Sequence, residues 1–178
     1  MEDVVIGVSE GNLRRDDLLI FVTVGNTVHG FDRLMAAIDT MATGEFLGET
    51  VFVQYGHSGL IPRGCTCVQS VSREVFRERI AEASMVITHG GAGSIGCCFQ
   101  AGKKPIVVPR RKSFGEVVDD HQVDLVRVLA EQGRVYPVFD VAGLPSVVHT
   151  AKQMGAVQGT TPGKSSVGNI VKDFLDRL

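Results

Sequence analysis

The chain alternates between apolar runs and amphipathic stretches, and glycine-rich polar segments separate them. Leu18-Leu-Ile-Phe-Val-Thr-Val24 is apolar without alternation and stops at Gly25. A run of that kind predicts a strand buried on both faces of a parallel sheet, feeding a tight turn. Leu34, Ile38 and Met41 then recur at helical spacing, which predicts a helix with one buried face. Val51 to Tyr55 repeats the strand pattern and also ends on a glycine, Gly56, and Cys65 to Gln69 is a shorter third run. Ser72 has the chemistry of a helix N-cap, with Val71 and Phe76 placed to close a hydrophobic staple, and the helix it starts is predicted to end near Ala83.

Met85-Val-Ile-Thr88 is the fourth predicted strand, and it breaks into His89-Gly-Gly-Ala-Gly-Ser94 before a helix that ends near Gly102. Ile106 to Pro109 is the fifth. The polar segment Arg110 to Asp120 interrupts the pattern before a helix whose buried side is Val123, Val126 and Leu129. Val135 to Val138 is the sixth strand, and past Gly159-Thr-Thr-Pro-Gly163 a last amphipathic helix carries Val167, Ile170, Phe174 and Leu178. The expected fold is α/β: a Rossmann-like parallel sheet of about six strands with helices on both faces. Residues 1–17 are expected to be an N-terminal extension and 18–178 one domain. Ligands of such sheets bind beyond the carboxyl ends of the strands. The polar, glycine-rich positions fall there, at Gly25 to Gly30, Gly56 to Ser58, His89 to Ser94 and Arg110 to Gln122.

Composition narrows the chemistry. A length of 178 residues with 44% apolar content suits one domain with a real core. The 18 basic and 20 acidic residues leave a formal charge of −2, so no broad positive field draws nucleic acid, and a phosphate ligand must be held by local geometry. No apolar run approaches the roughly 20 residues of a membrane span, and Met1 to Asp17 lacks the basic-then-apolar order of a signal peptide. The expected location is the cytoplasm, with any membrane recruitment supplied by another protein. Cys65-Thr-Cys67 and Cys97-Cys98 lack the two-residue spacer of zinc sites, and free thiols with no metal are expected.

In His89-Gly90-Gly91-Ala92-Gly93-Ser94, small residues let the backbone approach a ligand while the start of a helix offers unpaired N–H groups to an anion. Ser94 adds a hydroxyl and His89 a ring donor, so the loop is a candidate phosphate cradle. The same stretch contains Gly91-x-Gly93-x-x-Gly96, the dinucleotide fingerprint, and about 20 residues on stand Arg110 and Arg111, which suit the 2′-phosphate of NADP. That alternative places the fingerprint after the fourth strand, whereas it ordinarily follows the first. The Arg110 to Gln122 segment has two readings on charge alone. It is a solvated excursion whose charges offset one another, or it puts Arg110 or Arg111 near phosphate and Glu116, Asp120, His121 and Gln122 near a hydroxyl-rich group.

Together these residues resemble the C-terminal domain of glycosyltransferase family 28. The matching stretches are Val22-Thr-Val-Gly25 with Phe31-Asp-Arg-Leu34, then Ala83 to Ser94, then Pro109-Arg-Arg with Gly115-Glu116 and Asp120-His-Gln122. The pattern is similar to the small single-domain subunits of two-part transferases, in bacterial exopolysaccharide synthesis and in the dolichol pathway. The resemblance implies the C-terminal half of a GT-B enzyme that binds a UDP-sugar as substrate and uses no cofactor or metal. It implies that His89, Gly91, Ala92, Gly93 and Ser94 hold the diphosphate and that Glu116, His121 and Gln122 meet the donor sugar. Gly25, Asn26, Thr27 and Arg110 are expected to line the cleft, and His89 is the catalytic candidate on this chain. A membrane-anchored partner glycosyltransferase subunit is expected to bring the lipid-linked acceptor and the general base. One departure stands out: several members carry a ribose-binding glutamate three residues after the serine of the loop, where this chain has Cys97. A non-catalytic sugar-nucleotide-binding scaffold is the remaining alternative.

Overall fold

The computed structural model describes residues 5–6, 19–44 and 46–157. Among the described residues its sheet has seven strands: β1 (Val5–Ile6), β2 (Leu19–Thr23), β3 (Thr50–Gln54), β4 (Thr66–Val68), β5 (Met85–His89), β6 (Ile106–Val108) and β7 (Tyr136–Pro137). The spatial order is β1-β4-β3-β2-β5-β6-β7. The six strands from β2 to β7 are mutually parallel and fall on the six predicted runs: β2, β4, β6 and β7 are shorter than predicted, β3 is shifted by one residue and β5 runs one residue further, through His89. The seventh, β1, lies within the predicted extension and pairs antiparallel with the edge of β4. Two residues carry too little pattern to be read as a strand from sequence.

Helices α1 (Asp32–Thr43), α2 (Arg73–Glu82), α3 (Ala92–Gln100), α4 (His121–Glu131) and α5 (Leu144–Val157) connect and cover the sheet. Alternate strand residues feed opposite faces. On one face Ile20, Val22, Val53, Ile87 and Ile106 pack with Leu34, Met35 and Ile38 of α1 and with Leu144 and Val148 of α5. On the other, Phe21, Phe52 and Val86 pack with Ile80 and Cys98, and Val107 packs with Ile95, Leu125, Val126 and Leu129. At the start of α2, the Ser72 hydroxyl accepts from the Val75 N–H at 3.3 Å, while Val71 and Phe76 pack against the core as the staple requires. Helix α5 occupies a stretch the sequence pattern leaves unassigned. The predicted helix beyond Gly159 lies outside the described residues. Among the described residues no helix is long and apolar enough to cross a membrane.

The strand order positions the site. From β2 the chain steps outward to β3 and β4, then returns to lay β5 on the other side of β2 and continues to β6 and β7. The topological switch therefore falls between β2 and β5, where loops leave in opposite directions and open a crevice at the carboxyl ends of the strands.

Candidate functional site

Two turns meet at that crevice. Strands β2 and β5 run in register through Thr23 and Thr88, so the turn after Thr23 and the loop after His89 emerge side by side. Gly25 takes φ +74°, and a Cβ there would lie 2.6 Å from His89 Cε1. A Cβ on Gly91 would lie 2.2 Å from His89 Nε2. Both glycines are thus explained by one imidazole, which is wedged between the two turns. Gly90 has a different cause, since its Cβ would come within 2.8 Å of the Gln122 Cβ.

The His89 ring is buried, and desolvation, reinforced by the nearby Arg110 cation, pushes its pKa down to about 4 against the opposing hydrogen bond at the Thr23 backbone. At neutral pH the ring is uncharged, with one N–H to give and one lone pair to accept. Beyond it, α3 starts at Gly91 with no side-chain cap. The opening turn of α3 therefore presents N–H groups and the positive end of the helix dipole to the crevice. Gly93 is exposed with open space around it, and Ala92 and Ser94 are half-buried beside it.

The turn after β2 is fixed from beneath by a residue the sequence reading did not single out. Gln54, at the end of β3, accepts from the Thr23 hydroxyl at 2.5 Å and donates from Nε2 to the Gly25 carbonyl at 3.0 Å and to Asn26 Oδ1 at 2.9 Å. A glutamine closing an otherwise apolar strand was the available signal. Because Asn26 Oδ1 is occupied, its amide NH2 is the end that points away from Gln54. Asn26 is exposed and Thr27 half-buried at the rim, where the Thr27 carbonyl meets His57 Nδ1 at 3.0 Å. The Ser58 hydroxyl accepts from the Phe31 N–H at 3.0 Å, and Asp32 Oδ1 accepts from the Gly59 N–H at 2.7 Å, so the Gly56 to Ser58 turn is tied to the start of α1.

The polar segment departs from both sequence readings at two residues. Arg110 does not line the cleft; it is the largest fully buried side chain, 1% exposed. It lies beneath the crevice, where its guanidinium donates to four backbone carbonyls, two of them in fully buried bonds. Glu116 is also buried, and its carboxylate is engaged: Arg33 donates Nε to Oε1 at 3.0 Å and Nη2 to Oε2 at 2.9 Å, and the Arg111 N–H donates to Oε2 at 2.9 Å. The carboxylate that sequence alone offers to a sugar is committed to protein donors. Gln122 is half-buried, accepts from the Arg110 N–H at 3.1 Å and packs against Gly90, which brings it to the phosphate loop. His121 is exposed at the start of α4, its N–H donating to Asp119 Oδ1 at 3.1 Å. Asp120 stands at the N-cap of α4 without a side-chain cap bond, its carboxylate accepting from the Lys112 N–H at 3.0 Å.

The dinucleotide fingerprint fares differently from the phosphate loop. In that motif the third glycine allows close contact between helix and strand. Here Gly96 has open space where its Cβ would be. The glycine spacing is present without the packing that gives it meaning.

Residues 19–178 match the model of the glycosyltransferase family 28 C-terminal domain. The chain belongs to this family. It is 32% identical over 127 residues to the human UDP-N-acetylglucosamine transferase subunit ALG13, an alignment covering 66% of this chain and 11% of that protein. The mouse counterpart gives 32% over 126 residues, 65% of this chain and 10% of that protein. The match thus spans about a tenth of these relatives' length. Among solved structures, the fold is similar to the glycosyltransferase of kitacinnamycin at a TM-score of 0.55 and 16% identity, covering 96% of this chain and 42% of that one. It is also similar to CalG4, the calicheamicin glycosyltransferase, at a TM-score of 0.52 and 16% identity, covering 93% of this chain and 45% of that one. Such partial coverage is what one half of a two-domain GT-B architecture gives, and at this identity the likeness speaks for the fold alone.

Proposed function

We propose that this family 28 domain is the donor-binding part of a glycosyltransferase, seating the diphosphate of a UDP-sugar in the crevice between the β2 turn and the N-terminus of α3. The observation that carries the proposal is the pairing of an uncapped helix start with a neutral, buried His89 for which both Gly25 and Gly91 are cleared. A diphosphate there receives the N–H groups of Ala92, Gly93 and Ser94, the Ser94 hydroxyl and a ring N–H of His89. Gln122 and His121 stand at the sugar end and Asn26 and Thr27 at the acceptor rim.

In the reaction, an acceptor hydroxyl oxygen attacks the anomeric carbon from the face opposite the diphosphate, with inversion. The bond from the anomeric carbon to the diphosphate oxygen breaks and its electron pair leaves with UDP. The helix start and His89 stabilise that developing charge, so the chemistry needs no bound metal. The hydroxyl proton goes to a base on a second, membrane-attached subunit that holds a lipid-linked acceptor. The subunit naming of the human and mouse relatives supports the requirement for a partner.

Thermal unfolding of the purified chain with UDP, and in parallel with NADPH, tests the donor assignment. A ligand bound only by the folded state at 100 times its Kd stabilises by about 2.7 kcal/mol. A rise with UDP alone is expected, and a rise with NADPH alone would overturn the proposal in favour of a reductase. Robust transfer to a lipid-linked acceptor by this chain alone would remove the need for a partner.

A further inference from the structure

The Arg110 guanidinium contacts three separate parts of the chain. Nη2 donates to the Val24 carbonyl at 2.9 Å, and Nη1 donates to the carbonyls of His29 at 3.1 Å, Gly30 at 2.7 Å and Glu116 at 3.2 Å. The first three acceptors bracket the turn from β2 to α1, and the fourth belongs to the polar segment after β6. Its flat face rests on the Phe31 ring, 4.6 Å from the centroid, and its own N–H donates to Gln122. Side-chain donors, ring contact and backbone therefore join the acceptor rim, the polar segment and the start of α4 through one residue.

Among the described residues no carboxylate pairs with this cation directly. Glu116 gives its carboxylate to Arg33 and only its backbone carbonyl to Arg110, so these two guanidinium groups and one carboxylate leave a net positive charge under the crevice. Desolvation lowers the Arg110 pKa to about 10, which leaves it charged at neutral pH. A buried charge held by carbonyls and a ring face, without an ion pair of its own, is costly to keep.

We infer that Arg110 is a positioning residue of the donor site, holding the β2–α1 turn against the β6–α4 segment and placing an unneutralised charge beneath the diphosphate without touching it. This inference rests on the donor reading above for its ligand, but the positioning itself is testable without one. The guanidinium sets two donor nitrogens apart in one rigid plane, Nη2 on the Val24 carbonyl and Nη1 on those of His29, Gly30 and Glu116; the ammonium of lysine has a single nitrogen and cannot hold both places at once.

The experiment compares wild type with Arg110→Lys and Arg110→Ala, using calorimetric UDP binding and amide hydrogen exchange. In Arg110→Lys, amides of Gly25 to Phe31 are expected to exchange at least about tenfold faster while those of α5 are unchanged, and UDP affinity to fall by at least about tenfold. In Arg110→Ala, added guanidinium ion is expected to restore UDP affinity, and methylammonium is not. Folded variants with wild-type exchange at the turn and wild-type affinity overturn the inference. Global unfolding of both variants overturns it too, because Arg110 would then serve the core and not the crevice. If wild type itself ignores UDP, the donor reading fails, and the exchange arm still decides whether Arg110 positions the turn.

Discussion

The imidazole of His89 occupies the space that a side chain on Gly91 would need, with Nε2 only 2.2 Å from the position of that missing Cβ. Gly91→Ala must therefore push the ring toward Gly25, where there is no room either. We expect the substitution to destabilise by about 1–3 kcal/mol and to abolish UDP binding. Gly96→Ala is the control: its Cβ meets nothing, and in a helix interior alanine is expected to gain up to about 1 kcal/mol. Denaturant unfolding of the two variants checks the contrast, and a harmless Gly91→Ala would mean that the ring has another place to go.

Burial of His89 also makes stability depend on pH. Its folded pKa of about 4 lies below the value near 6.5 of an unfolded chain, so between those limits the unfolded state binds more protons. The stability tied to the neutral ring is complete above about pH 6.5 and is lost as pH falls toward 4, an effect on the order of 3 kcal/mol. Carboxylates titrate in part of the same window, so the readout is the difference between wild type and His89→Asn. The two stability curves are expected to converge from pH 7 to pH 4; parallel curves would show a solvated ring.

The Arg33–Glu116 pair separates a structural role from a sugar-binding one. Both side chains are mostly buried, 17% and 6% exposed, so removing one partner strands the other. Arg33→Met and Glu116→Gln are each expected to cost on the order of 3 kcal/mol, with the double variant well below their sum. Additive losses would deny the coupling. A Glu116→Gln protein of wild-type stability that loses affinity for the donor sugar would instead return Glu116 to the ligand.

The four cysteines are free thiols of unequal reactivity. Burial raises the Cys65, Cys67 and Cys98 thiols to about 12, 11 and 12, while Cys97 is half-exposed on α3. A thiol reagent at pH 8 is expected to modify Cys97 first in the folded protein and the others only on unfolding. Bound UDP is expected to slow that reaction, since Cys97 stands one turn from Ser94. Mass spectrometry of the labelled peptides reads both effects.

The parallel strands and the first four helices were legible because burial leaves a period: unbroken apolar runs for strands covered twice, and spacing near 3.6 for helices covered once. Ser72 with Val71 and Phe76 announced α2 by local chemistry alone. Helix α5 went unread because its buried residues, Leu144, Val148 and Ala151, are few and lie among Pro145, Gly143 and Gly155. At the site, the phosphate loop was legible from its glycines, but the reason for them was not. Gly25 and Gly91 are explained by the same ring, although they are far apart in the chain.

What the sequence by itself determined is therefore the local share of this protein: which segments become strands and helices, where the chain must turn, and that a helix start free of bulky side chains follows β5. Those features depend on neighbours within a few residues, and the chain carries them in its own spacing. Tertiary structure alone decided that β2 and β5 are adjacent, which makes a crevice of two turns. It also decided that Arg110 belongs beneath that crevice. A charged residue in a polar run is expected in solvent, and only the approach of carbonyls from Val24, His29 and Gly30 supplies enough acceptors to hold it in the interior.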